Sequence, residues 1–187
     1  MLSFMSIKRT MLLVIFLCLP NIVTSKTIDI KSTHGYTENE TYFVDAELDF
    51  KLTDEANEAL LHGIPLEIHT HFQLRHKRKW LWDKTVNEEV IIIKLEHLPL
   101  TNNYLTISIN TGIKNSYSNL DAALNHINTI TKLKLFDYDL LSKEKNYIVR
   151  VKTFLDISSL PTPLLPQAYF SSEWDMSSKW LEWDIMQ

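Results

Sequence analysis

The chain has 187 residues, 45% of them hydrophobic, with 19 Lys and Arg against 23 Asp and Glu and a formal net charge of −4. That balance disfavours a protein that holds polyanions by bulk charge, so no nucleic-acid partner is expected. Three glycines and one cysteine are too few for a glycine-rich phosphate cradle or a disulfide framework.

The first 25 residues read as a secretory signal: Lys8 and Arg9, an apolar run over 11–19, then Pro20, Asn21 and the short ending Val23-Thr24-Ser25. The run is far shorter than the roughly 20 residues that span a bilayer, so cleavage after Ser25 is expected rather than a retained anchor. Cys18 lies inside this segment. The remaining 162 residues (187 less 25) therefore hold no thiol and must fold by packing alone. A chain of that size buries about 70% of its unfolded surface, and a single mostly-β domain over 26–187 is expected. Without Lys8 and Arg9 it keeps 17 basic residues against 23 acidic, a net charge of −6.

A short strand over 27–31 comes first. Residues 42–52 then alternate, with Tyr42, Val44, Ala46, Leu48, Phe50 and Leu52 on one face and Phe43, Asp45, Glu47, Asp49 and Lys51 on the other, the period of a half-buried strand. Thr53 caps a short helix with Asp54 and Glu55 in its first turn, and Gly63 ends it. The period of two returns with Ile64, Leu66, Ile68, Thr70, Phe72 and Leu74 opposite Glu67, His69, His71, Gln73 and Arg75.

Asp83-Lys84 is a candidate two-residue turn into a strand over 86–98. That turn sets Phe72 against Leu95, Leu74 against Ile93, Lys79 against Glu88, Arg78 against Glu89 and His71 against Glu96. Apolar and charged pairs then agree on one register. Residues 104–110 read as a further strand, and Ser118-Asn119-Leu120-Asp121 as a capping box for a second short helix carrying Leu120, Ala123, Leu124, Ile127 and Ile130. Residues 146–157 are again a strand. Pro161, Pro163 and Pro166 make 160–166 an extended edge or loop, and the tryptophan-rich end, EWDMSSKWLEWDI, is a last strand or hairpin anchored by Trp174, Trp180 and Trp183. The sum is an α+β chain, predominantly antiparallel sheet and sandwich-like, with two short helices.

Candidate functional residues fall in two places. The basic stretch RHKRKWLWDKT (75–85) has an acidic partner strand, yet Arg75, His76, Lys77 and Lys84 stay unneutralised beside Trp80 and Trp82. Arg75, Lys77, Trp80, Trp82 and Lys84 thus form an edge suited to an envelope protein or the anionic inner-membrane surface. The second place is the His-x-His strand, where His69 and His71 share a face with Glu67 and can chelate a metal if Glu96 supplies a third ligand. A solvated strand face explains the same residues without a metal. Asp83 and Asp156 lie beside turns, where a carboxylate commonly accepts from backbone amides. With no nucleophile elbow and no Ser-x-x-Lys before a helix, neither catalysis nor a cofactor is expected.

The segments HGIPLEI (62–68), RKWLWDK (78–84), LPLTNNYLTI (98–107), SNLDAAL (118–124), VRVKTFLDISSLPTPL (149–164) and SSEWDMSSKWLEW (171–183), in this order, resemble the proteobacterial exported proteins of domain-of-unknown-function family 4390. The resemblance implies a signal peptide, a periplasmic location in a Gram-negative cell and a gene neighbourhood that includes a membrane sensor kinase, but no known reaction. The expected function is a non-enzymatic interaction module of the cell envelope. The alternatives are a metal-binding protein or metal-dependent hydrolase built on the His-x-His strand, and a small-ligand-sensing accessory domain for that kinase.

Overall fold

The computed structural model describes residues 28–78, 80, 82–142 and 145–185. The signal segment and its cleavage point lie outside the described residues.

Among the described residues, nine strands make two antiparallel sheets. β1 (Asp29–Glu38), β2 (Thr41–Asp49) and β7 (Thr129–Asp137) form a three-stranded sheet in the order β1-β2-β7. β3 (Leu66–His76), β4 (Lys84–Leu98), β5 (Asn103–Ser108), β6 (Lys114–Tyr117), β8 (Tyr147–Leu155) and β9 (Leu181–Asp184) form a six-stranded sheet in the order β6-β5-β4-β3-β8-β9. The helices are α1 (Asp54–Leu61), α2 (Leu120–Asn128) and α3 (Leu165–Phe170). The α+β, mostly antiparallel architecture read from the alternation therefore holds.

The strands form where the pattern demands. On β2, Tyr42, Val44, Ala46 and Leu48 are buried; on β3, Leu66, Ile68, Thr70, Phe72 and Leu74 are buried, while the residues between them stay partly exposed. β1 and β2 join through Asn39 and Glu40, both at positive φ (47° and 62°), the backbone of a two-residue hairpin turn whose twist matches the strands. The Thr53 hydroxyl accepts from the Ala56 amide at 3.3 Å to start α1, as expected, and Gly63 follows its end at φ +82°.

One inner face of the large sheet carries two clusters. Phe72 and Leu74 of β3 and Val149 and Val151 of β8 meet Tyr42, Val44, Ala46 and Leu48 of β2 and Leu135 and Phe136 of β7, sheet against sheet. Leu66, Ile68, Leu95 and Leu155, further along the same face, meet Ala56 and Leu60 of α1, Ala123 and Ile127 of α2, and Trp174. Between the clusters the Thr70 and Thr153 hydroxyls pair at 3.1 Å, satisfying two buried polar groups where the cover changes from strands to helices. The sheets are also tied across their edges. Trp183 Nε1 donates to Tyr42 Oη at 3.1 Å, and Asn87 Nδ2 donates to the Leu135 carbonyl at 2.6 Å.

Four readings of the sequence are corrected. The β3–β4 register is displaced by six residues from the expected one, with Leu66 opposite Leu95, Phe72 opposite Glu89 and His76 opposite Lys84, so residues 77–83 form the connection. The displacement is even, so each side chain keeps its face. Alternation fixes parity and nothing more. The second helix is capped by Asn119, whose Oδ1 accepts from the Ala122 amide at 2.8 Å, rather than by Ser118, and it ends at Asn128. Ile130 instead lies in β7, a strand the alternation hides because Lys132 sits at φ +50° with its amide on Asp45 Oδ1, at 2.6 Å. Finally, the proline stretch winds into a 3-10 turn over Thr162–Leu164 and then α3, since proline in a first helical turn has no amide to leave unpaired.

Phe72 is fully buried at the joint of β3 with β2 and β7. Phe72→Ala is expected to cost about 3–5 kcal/mol in urea unfolding. A Cβ on Gly35 would lie 1.8 Å from Tyr42 Oη. Gly35→Ala is therefore expected to destabilise by about 1–3 kcal/mol, through displacement of the ring that receives Trp183.

Candidate functional site

Because β3 buries its even-numbered residues, Glu67, His69, His71, Gln73 and Arg75 stand on the outer face of the large sheet, beside Arg150, Lys152 and Phe154 of β8. A chain of polar contacts runs along this face. His71 Nδ1 and Gln73 Nε2 both meet Glu88 Oε1 at 2.7 Å, and Gln73 Oε1 accepts from Arg150 Nε and Nη2 at 2.8 and 2.6 Å. The Arg150 guanidinium lies 3.9 Å from the Trp180 ring centre and 3.7 Å from Glu182 Oε1. The Gln73 hydrogen bond, and after it the His71 hydrogen bond, hold the Glu88 carboxyl below the ordinary carboxylate range.

His69, His71 and Glu96, expected to share one site, do not come together. His71 turns to Glu88, and Glu96 pairs with Lys94 at 2.8 Å on β4, past the point where β3 begins its pairing. His69 instead places Nε2 3.7 Å from Glu67 Oε2 and 3.7 Å from Asp156 Oδ2. The chosen donors of Glu67, His69 and Asp156 all lie within 4.8 Å of one another, with all three residues partly buried. The β3–β8 ladder brings Asp156 there: Ile68 faces Leu155, and the Asp156 amide donates to the Glu67 carbonyl at 2.8 Å. Asp156 Oδ1 accepts from both the amide and the hydroxyl of Ser158, at 3.0 and 2.7 Å, which turns Oδ2 toward His69. Glu67 was legible as a carboxylate on the strand face of His69, and Asp156 as one beside a turn. Their meeting was not, because it needs the β3–β8 pairing.

Beside this cluster runs a groove of about 450 Å³, lined among others by Phe154, Asp156, Tyr169, Trp174, Asp175 and Met176.

The hairpin end of β3 is the second candidate. Arg75 is not a free edge cation, since its Nη2 donates to the Asp83 carbonyl at 2.7 Å and pins the base of the connection. The Arg78 amide donates to Asp83 Oδ1 at 3.2 Å. Lys77 is solvent-exposed, but its Nζ reaches Asp184 Oδ1 at 2.8 Å, and that hydrogen bond raises its pKa. Lys84 is exposed, and Trp80 and Trp82 are each 94% exposed. The other three tryptophans are engaged: Trp174 in the core, Trp180 beneath Arg150 and Trp183 on Tyr42. The expected opposition of Arg78 to Glu89 does not occur, for Glu89 faces Phe72; Lys79 lies outside the described residues.

Fold and surface thus define a small antiparallel α+β protein whose distinguishing features are a polar sheet face and an aromatic, basic hairpin tip. The chain belongs to the family described as Domain of unknown function (DUF4390), whose model matches residues 25–184. No curated protein and no solved structure matches it.

Glu88 provides a pH test. A carboxyl whose folded pKa is depressed adds stability above its unfolded value, near 4.5, and that contribution disappears as the pH falls through the lower folded value. Glu88→Gln is expected to lower the urea midpoint at neutral pH, and its difference from the wild type should shrink as the pH drops below about 4.5.

Proposed function

We propose that this chain is an exported, non-enzymatic interaction module of the bacterial cell envelope, and that it docks the connection 77–83 onto the anionic periplasmic surface of the inner membrane. One observation carries the reading: Trp80 and Trp82 are 94% exposed on a tip that also holds Lys77, Arg78 and Lys84, while every other tryptophan is engaged. An indole exposes roughly 200 Å² of largely apolar surface to water, a cost recovered when the ring enters a membrane interface or a partner. Cations beside it favour the membrane, since each lysine or arginine near an anionic surface contributes about 1 kcal/mol. The 25-residue leader read from the sequence supports export.

Vesicle co-sedimentation tests this. The protein is expected to sediment with phosphatidylglycerol vesicles and not with phosphatidylcholine vesicles, and Trp80→Ser with Trp82→Ser should weaken binding by roughly tenfold or more at unchanged thermal midpoint. Undiminished binding by the double variant rules the loop out. Crosslinking from Trp82 to an envelope protein, without vesicle binding, would assign the tip to a protein partner instead.

The groove beside Asp156 favours a second reading, a small-ligand-sensing domain for a membrane sensor kinase, because about 450 Å³ with Trp174, Met176 and Ala168 in its wall is large enough for a metabolite. Screening metabolites by the quenching of tryptophan fluorescence is expected to find a ligand whose affinity falls with Met176→Ala. A ligand insensitive to that change, or a library with none, counts against it.

A further inference from the structure

The cluster on the outer sheet face has a spacing that hydrogen bonding does not explain. His69 Nε2 is buried and has no hydrogen-bond partner, although carboxylate oxygens of Glu67 and Asp156 each stand 3.7 Å from it. That is too long for an N–H···O bond, whose usual reach is about 2.7–3.2 Å. It is close to the separation of two donors on one tetrahedral cation, since bonds of about 2.0–2.2 Å put neighbouring ligands roughly 3.3–3.6 Å apart.

The surroundings agree. Neither Glu67 nor Asp156 is ion-paired with a described lysine or arginine: Lys94, across the ladder from Glu67, is taken by Glu96 at 2.8 Å, and Lys152 lies over the Phe154 ring at 5.9 Å. Two partly buried carboxylates beside one imidazole nitrogen concentrate negative charge at this point. The support that holds metal ligands still is also present, with Ser158 fixing Asp156 and the Phe154 ring packing on His69 at 5.4 Å.

We propose that Glu67 Oε2, His69 Nε2 and Asp156 Oδ2 bind one divalent cation of the zinc class. Two oxygens and one imidazole suit zinc and its borderline neighbours better than calcium, which takes six or more oxygens, or copper(I), which takes sulfur. Three protein ligands leave a coordination position for water or a small anion beside the groove that Asp156 helps line. The site uses neither Trp80 nor Trp82, so it stands or falls apart from membrane docking.

Isothermal titration of the purified, metal-stripped protein with Zn²⁺ is the test, with Co²⁺ absorption as a spectroscopic check on tetrahedral N/O coordination. One ion per chain is expected. Loss of an outer-shell support commonly costs 10–100-fold, so His69→Ala should weaken binding by about 100-fold or more, and the near-isosteric Glu67→Gln and Asp156→Asn by at least roughly tenfold. His71→Ala and Glu96→Gln, the residues that adjacency in sequence would favour, should bind as the wild type does. Circular dichroism checks folding, and if His69→Ala is not folded the two isosteric variants decide. Absence of saturable one-to-one binding, retention of binding in those variants, or its loss in His71→Ala would overturn the site.

Discussion

The structure depends on β3 being buried on one face from Leu66 to Leu74. Leu66, Ile68, Thr70, Phe72 and Leu74 are each at most 4% exposed, and they reach from the helix-covered cluster to the sheet-covered one. Successive strand side chains point to opposite faces. Burying one set therefore forces Glu67, His69, His71, Gln73 and Arg75 onto the other face, in register with β4 and β8. Core and polar face are one constraint seen from two sides.

The cover over that strand is built from unlike parts, and this explains the polar seam. The three-stranded sheet spans only half of the inner face, and α1 and α2 take the other half. At the boundary, Thr70 and Thr153 pair with each other, while the Thr153 amide and carbonyl are satisfied by the Ser178 hydroxyl and amide. A buried polar group without such a partner would cost about 1–3 kcal/mol. Ser178, from the irregular stretch before β9, thereby also fixes where the chain end lies. The end repeats the device at the other sheet through Trp183 and Tyr42.

The two candidate regions differ in how the backbone holds them, and so in what they suit. His69 is held by backbone pairing with both β4 and β8, and the Asp156 amide on the Glu67 carbonyl ties the other two donors together, a fixed arrangement that suits coordination. The hairpin tip is held at its base by Arg75, Asp83 and the Lys77 amide on Asn146, and its indoles project beyond those bonds. Such a tip suits contact with a surface. Arg75, a surface cation on sequence grounds, is spent on holding that base.

What the sequence determined by itself was local and periodic: the strand faces of β2 and β3, the Thr53-capped helix, the family membership and the burial of Trp174. Each depends on residues a few positions apart, where alternation and capping act. What only the tertiary structure decided was every pairing between distant segments. Alternation cannot separate registers that differ by an even number, so opposing charges at 78 and 89 made a six-residue slip look sound, although Arg78 belongs to the connection. For the same reason the face that carries His69 was visible while its neighbours were not. Asp156 comes to it from just past the end of β8, 87 residues onward in the chain, because β8 pairs antiparallel with β3, with Ile68 opposite Leu155, and the hydrogen-bond ladder, not any local preference, sets that distance.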